Sequence, residues 1–150
     1  MVEYKISYEL IEFFTGALIN RLKHKNLKFD YVIGFGRGGL IPATMIAYKL
    51  SLPVLNYGVS SYINKDKTSA YNEYQSINFK NLPTTTRLLV VDDICDTGET
   101  FRYFKQIVDK NNISDITYTA LFAKESSSTN VDFYSSLAGE DQWIIFPWDS

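Results

Sequence analysis

Leu88-Leu89-Val90-Val91-Asp92-Asp93-Ile94-Cys95-Asp96-Thr97-Gly98-Glu99-Thr100-Phe101 sets a continuous apolar run directly before an acid pair, a third acid and a Thr-Gly turn. Leu88 to Val91 has the pattern of a parallel strand covered on both faces. The acids are expected where that strand ends, and Thr97-Gly98-Glu99-Thr100 leads into a helical pattern. The unpaired backbone N–H groups and positive dipole end of such a helix suit an anion. Adjacent carboxylates are hard oxygen donors, suited to Mg²⁺ and vicinal hydroxyls but repelling bare phosphate. Acids followed by an amide turn therefore suit a sugar phosphate, with its phosphate on the turn.

Working outward, Ser7 is placed to cap a helix in which Leu10, Ile11, Phe14, Leu18, Ile19 and Leu22 recur at helical spacing. Tyr31 to Phe35 reads as a core strand, followed by Gly36-Arg37-Gly38-Gly39 and a helix from about Leu40 to Leu50, with Pro42 in its first turn. Pro53 to Ser60 suits the next strand, and the polar stretch Ser61 to Thr86 a mobile loop or hairpin. After the central strand, Leu88 to Asp92, a helix turns Phe101, Phe104, Ile107 and Val108 inward. Asp115 to Ala123 is a further strand, and Val131 to Leu137 and Trp143 to Phe146 are short terminal strands or extended segments. This order predicts an α/β fold: one domain, residues 1–150, with a mostly parallel sheet flanked by helices. Ligands of such sheets bind beyond the strand carboxyl ends, where strand order reverses. If the strands at Tyr31 and Leu88 are neighbours, Gly36 to Gly39 and Asp92 to Thr100 wall one crevice.

The 150 residues, 45% hydrophobic, support one core. A net charge of −2 and a pI near 5.4 give no global attraction to nucleic acid, and no basic stripe stands out. A single cysteine excludes an internal disulfide, and no apolar run approaches the roughly 20 residues that span a bilayer. Met1 to Ile6 lacks a signal-peptide pattern, so the expected location is the cytoplasm. His24 lies in a basic helix end and suits a surface residue, and the acids around Cys95 disfavour a reactive thiolate.

Asp92, Asp93, Asp96, Thr97, Gly98 and Thr100 stand at the spacing of the phosphoribosyl-pyrophosphate (PRPP) motif, and the segment Val90 to Thr100 resembles that of the type I phosphoribosyltransferases. The resemblance implies that fold, with a flexible loop and a small C-terminal hood. It also implies that Asp92 and Asp93 meet the ribose hydroxyls, directly or through Mg²⁺, while the backbone from Asp96 to Thr100 holds the 5′-phosphate. Glu99 is unusual inside such a loop. A charge about 4 Å away costs roughly 1 kcal/mol in water, less than several charge-assisted hydrogen bonds at roughly 1.5–3 kcal/mol each. Its side chain is expected to point away from the phosphate. Gly36-Arg37-Gly38-Gly39 resembles the family's pyrophosphate loop, which implies that Arg37 and Gly38 bind the leaving group.

Further matches resemble the short bacterial and archaeal xanthine-guanine (hypoxanthine) phosphoribosyltransferases. Ser60-Ser61-Tyr62 resembles the Ser-Tyr entrance to the loop that closes over PRPP, with Lys67 a candidate loop contact. Phe122-Ala123-Lys124 resembles the purine segment whose Lys meets the 6-oxo group, and Asp141 to Asp149 resembles the C-terminal segment. By that resemblance Trp143 stacks on the purine, the Ile144 carbonyl accepts from the base edge, and Asp93 and Asp149 serve the metal region. Trp148 suits core packing. An acid commonly follows the Trp-Ile pair in that branch, but Ile145 stands here, leaving the choice among guanine, xanthine and hypoxanthine open.

The implied activity is Mg²⁺-dependent transfer of ribose 5-phosphate from PRPP to N9 of a 6-oxopurine, a salvage reaction. Asp96 is the candidate general base, near purine N7. Aspartate is a weak base at neutral pH, so positioning is the larger part of that role. The implied partners are PRPP and a purine base, without nucleic acid or membrane, and the implied assembly is a homo-oligomer, dimer or tetramer. The alternatives are a non-catalytic PRPP-sensing module, against which Lys124 and Trp143 speak, and a transferase for another base such as orotate or uracil.

Overall fold

The computed structural model describes residues 1–149. Its elements are β1 (Val2–Lys5), α1 (Tyr8–His24), β2 (Tyr31–Phe35), α2 (Gly36–Leu50), β3 (Val54–Ile63), β4 (Ser69–Gln75), β5 (Arg87–Cys95), α3 (Glu99–Lys110), β6 (Asp115–Lys124), β7 (Phe133–Ala138) and β8 (Gln142–Ile145), with 3-10 turns at Phe79–Asn81 and Glu125–Asn130. Six strands form one sheet in the order β4-β3-β2-β5-β6-β7. All neighbours are parallel except the β3–β4 hairpin. From the central β2–β5 pair the chain adds β3 and β4 to one side and β6 and β7 to the other. The strand order therefore reverses between β2 and β5, which pair Tyr31 with Leu88 and Gly34 with Val91.

Alternation within these strands divides the core. Val32, Leu89 and Val91 pack with Ile11, Leu18 and Leu22 of α1 and Ala43 and Ile46 of α2. Ile33, Phe35, Leu88 and Val90 face the opposite way, into Phe101, Phe104 and Val108 of α3. Ser7 caps α1 as its sequence suggests, with its Oγ accepting from the Leu10 N–H at 3.2 Å.

Three boundaries differ from the sequence reading. α2 begins at Gly36, so the glycine turn is the helix's own first turn and Pro42 lies in the helix interior. The cause is close packing: a Cβ on Gly34 would lie 2.7 Å from the Leu40 Cα, so the helix starts hard against β2. Pro42 offers no N–H, leaving the Gly38 carbonyl without its usual helical donor. β5 runs on to Cys95 and carries Asp92 and Asp93 within it, because β6 continues alongside, pairing Asp92 with Ala120 and Cys95 with Ala123. Finally, Val2–Lys5 forms a strand that the sequence reading passed over. It pairs in parallel with β8, placing Val2 beside Gln142 and Lys5 beside Ile145 in a separate two-stranded hood.

Phe104 is fully buried, its ring centroid 5.1 Å from both Phe35 and Tyr57 and 5.6 Å from Phe79. Phe104→Ala is expected to cost about 3–5 kcal/mol of stability, read as a lower urea midpoint.

Candidate active site

At the β2–β5 reversal two turns meet. A Cβ on Gly39 would lie 2.8 Å from the Val91 carbonyl oxygen and 2.9 Å from Asp92 Oδ1, and one on Gly38 would collide with the Asp93 carboxylate. Glycine is required there because α2 enters against the acid-bearing end of β5. The Asn56 side chain holds the turn from the other side, donating to the carbonyls of Gly34 at 2.9 Å and Gly36 at 2.8 Å. Gly36 has φ +62°, and Arg37 is exposed at the start of the helix.

The carboxylates are held by their own backbone: Asp92 Oδ1 accepts from the Asp93 N–H and Asp93 Oδ1 from the Ile94 N–H, both at 2.8 Å. Burial, and then the charge of Asp93, push Asp92 well above the usual carboxylate range. Burial also raises Asp93, against the hydrogen bonds it accepts. Two partly desolvated acids side by side disfavour the doubly ionised state, which a cation or hydroxyl donors would stabilise.

Asp96, Thr97, Gly98, Glu99 and Thr100 form the next turn, around a small cavity of about 90 Å³ bordered by Asp92 and residues 94–101. Gly98 caps α3 with φ +80° and no side-chain hydrogen bond, leaving the helix dipole open toward this turn. The turn is tied from behind. Arg102 Nη1 donates to the Thr97 carbonyl at 2.9 Å, and the Ser127 hydroxyl lies against the carbonyls of Cys95 and Asp96. Asn130 donates to the Ser127 carbonyl at 2.9 Å and closes the space beside Gly98. Glu99 accepts a 2.7 Å hydrogen bond from the Tyr71 hydroxyl on β4. Cys95 is buried, and that burial pushes its thiol pKa up.

The other predicted residues occupy three places. Ser61 and Tyr62 are exposed on the outer part of β3, and Lys67 stands at the exposed hairpin turn with φ +64°. Lys124, at the end of β6, is buried and donates to the carbonyls of Gly139, Glu140 and Gln142. Its ammonium thus braces the hood. Trp143 on β8 is 52% exposed, whereas the Ile144 side chain is buried. The carbonyls of Asp141 and Ile145 accept from Val2 and Ile6. Strand alternation turns the Ile144 carbonyl to the opposite edge, the one on which Gln142 meets Lys124. Trp148 stacks on Phe146 at 5.1 Å with planes 7° apart, and Asp149 Oδ2 accepts from the Phe146 N–H at 2.9 Å. The Trp148 indole nitrogen also approaches Gly38, 3.4 Å from where a Cβ would stand. Asn56, Arg102, Ser127 and Asn130 went unmarked in the sequence reading, since each belongs to a common polar type with no motif spacing of its own.

Residues 5–150 match the phosphoribosyl transferase domain, and the chain belongs to that family. Xanthine-guanine phosphoribosyltransferases of Nitratidesulfovibrio vulgaris and Desulfotalea psychrophila are 28% and 30% identical to it over 148 residues. Each alignment spans 98% of this chain, with 85% and 86% of the respective relative. The crystal structure of a purine phosphoribosyltransferase from Pyrococcus horikoshii is 29% identical with a TM-score of 0.85, covering 100% of this chain and 96% of the other.

Two outcomes are expected. Gly38→Ala should weaken PRPP binding at least tenfold in calorimetric titration, because its Cβ would displace the Asp93 carboxylate. Asp92→Asn should weaken PRPP binding yet raise the melting temperature of the free protein by about 2–4 °C, the shift for roughly 1 kcal/mol in a chain of this size. With its pKa raised on folding, Asp92 keeps in the folded state a proton that the unfolded chain loses. Stability therefore falls as pH climbs from about 4 through the raised value, and the variant should flatten that slope.

Proposed function

We propose that this crevice transfers ribose 5-phosphate from PRPP to N9 of a 6-oxopurine, xanthine, guanine or hypoxanthine, and releases pyrophosphate. The protein is a purine salvage phosphoribosyltransferase, a glycosyltransferase. The observation that carries the reading is the contact of the α2 glycine turn with Asp92 and Asp93 beside the open amide turn of α3. On this reading the seats for pyrophosphate, ribose hydroxyls and 5′-phosphate lie around one point.

Cleavage at the anomeric carbon builds positive charge on the sugar and negative charge on pyrophosphate. Arg37 and the backbone around Gly38 stabilise the leaving group, as fixed donors do for developing anions. Asp92 and Asp93 hold the ribose hydroxyls and lie on the side of the growing positive charge. The 5′-phosphate sits on the turn from Asp96 to Thr100, where the Glu99 N–H exchanges its 3.3 Å bond to Thr97 Oγ1 for a phosphate oxygen. Asp96, exposed at the turn, accepts a hydrogen bond from purine N7–H, positions N9 for attack, and takes the N7 proton as the N9–carbon bond forms. Trp143 supplies a stacking face, and the outward carbonyl of Ile144 accepts from the base edge. Lys124 acts from behind, holding Gln142 of the same strand; contact with the 6-oxo group would require its ammonium to leave one of its carbonyls. Ser61, Tyr62 and Lys67 belong to the hairpin beside PRPP.

Mg²⁺ fits the donor set: Asp93 is a desolvated hard-oxygen ligand, and the Asp149 charge adds to the pressure on its ionisation. Two carboxylates completed by substrate oxygens and water are a usual Mg²⁺ arrangement. When bound, the ion supplies positive charge to the pyrophosphate oxygens. A single-domain homo-oligomer, dimer or tetramer, working in the cytoplasm completes the reading; no described helix is long and apolar enough to cross a membrane. The exposed Phe13 and Tyr48 support a subunit contact.

The exposed Trp143 favours catalysis over a PRPP-sensing module, which needs no base platform. Incubation with PRPP, Mg²⁺ and a panel of bases should release pyrophosphate with 6-oxopurines and not with orotate, uracil or adenine; no release with any base would leave the sensor reading. Trp143→Ala should raise the purine KM roughly tenfold, as expected for one lost base–aromatic stack, and leave the PRPP KM within a factor of two. Asp96→Asn should lower kcat while retaining PRPP binding, and wild-type turnover with wild-type purine affinity would remove Asp96 from the mechanism.

A further inference from the structure

The β3–β4 hairpin touches both anion turns, and it does so through two tyrosines. Its register shifts between Gly58 and Val59, which pair with Gln75 and Glu73, so Tyr74 is the extra residue of a bulge. The Tyr74 ring lies directly on Gly58, and its hydroxyl stands 3.1 Å from the position of a Cβ on Gly36, in the pyrophosphate turn. On the same strand Tyr71 stacks on Tyr103 of α3, with centroids 4.4 Å apart and planes at 26°, and donates its hydrogen bond to Glu99. Glu99 is the first residue of α3 and part of the phosphate turn. The carboxylate that looks misplaced in a phosphate loop is therefore occupied by the hairpin.

We propose that Glu99 and Tyr71 form a latch that positions the hairpin across both anion turns, and that this latch sets how tightly PRPP is retained. Glu99 is a positioning residue acting through Tyr71. The inference rests on the proposed PRPP site for its consequence, but the docking itself can be read without substrate. A 2.7 Å hydrogen bond to a carboxylate is of the charge-assisted kind, and the Tyr71–Tyr103 stack fixes the ring from which it is made. With the latch open, Tyr71 keeps only its stack, and the cover over Gly36 loosens with it.

The test is a double-mutant cycle with Tyr71→Phe, which removes the hydroxyl and keeps the stack, and Glu99→Ala, together with Glu99→Gln, which keeps an acceptor. Hairpin opening is read by the rate of tryptic cleavage at Lys65 and Lys67, exposed in the hairpin turn, since cleavage needs local undocking. Each single variant should be cut roughly tenfold faster or more, the size expected for one charge-assisted hydrogen bond. The double variant should be cut no faster than the quicker single one, and Glu99→Gln should lie between Glu99→Ala and wild type. The PRPP KM should rise by a similar factor in each single variant while the purine KM stays within twofold. Unchanged cleavage, or effects that multiply in the double variant, would overturn the latch; faster cleavage with an unchanged PRPP KM would overturn its role in retention. If no base supports turnover, the reaction reading fails separately, and retention is read from PRPP titration of the same five proteins.

Discussion

The approach of the α2 glycine turn to the carboxylate-bearing end of β5 is the constraint from which the rest of the site follows. Two adjacent acids resist being ionised together, and here burial withdraws them from water as well. Backbone hydrogen bonds from Asp93 and Ile94 and a side-chain hydrogen bond between the two acids offset this only in part. The pair becomes favourable when hydroxyl donors or a cation reach it, and the glycines leave the room for that. A side chain at Gly38 or Gly39 would close the crevice from the opposite wall. Stability and function thus oppose each other at these positions, as is common where binding demands poorly solvated charge.

Around that contact the fold supplies supports of different kinds. Asn56 fixes the carbonyls of Gly34 and Gly36, so the glycine turn proposed to seat pyrophosphate is held from β3. Ser127, Asn130 and Arg102 fix the back of the phosphate turn and leave its open face free. The hood is the least autonomous part, a two-stranded sheet joined from the first and last strands and anchored by the Lys124 ammonium on its carbonyls. The proposed base site therefore depends on the meeting of segments far apart in sequence, whereas the proposed PRPP site is built largely from two local turns.

That difference explains what could be read from the chain. The strands at Tyr31 and Leu88, the cap at Ser7 and the inward face of α3 follow from periodicity and local chemistry, so they were legible. The turn at the start of α3, the proposed phosphate seat, was legible as a turn because acids, threonines and glycine stand at one spacing. The start of α2 was not, since glycines that signal a turn also permit a helix to begin immediately after a strand. The strand at Val2–Lys5 has no partner nearby in sequence, and its pairing with Gln142–Ile145 exists only in three dimensions. Lys124 was identified as a base-site residue, but its engagement with carbonyls of residues 139–142 depends on a returning chain that periodicity cannot place. Glu99 looked unfavourable in sequence because its partner, Tyr71, lies 28 residues away on a hairpin.

The most direct measurement is a crystal structure of the protein with PRPP and Mg²⁺. The expected density places the 5′-phosphate on the backbone amides of residues 97–100, the ribose hydroxyls against Asp92 and Asp93, and the pyrophosphate at the Gly36 to Gly39 turn. A 5′-phosphate seated elsewhere, or a ribose whose hydroxyls do not face the Asp92–Asp93 pair, would contradict the assignment of the crevice.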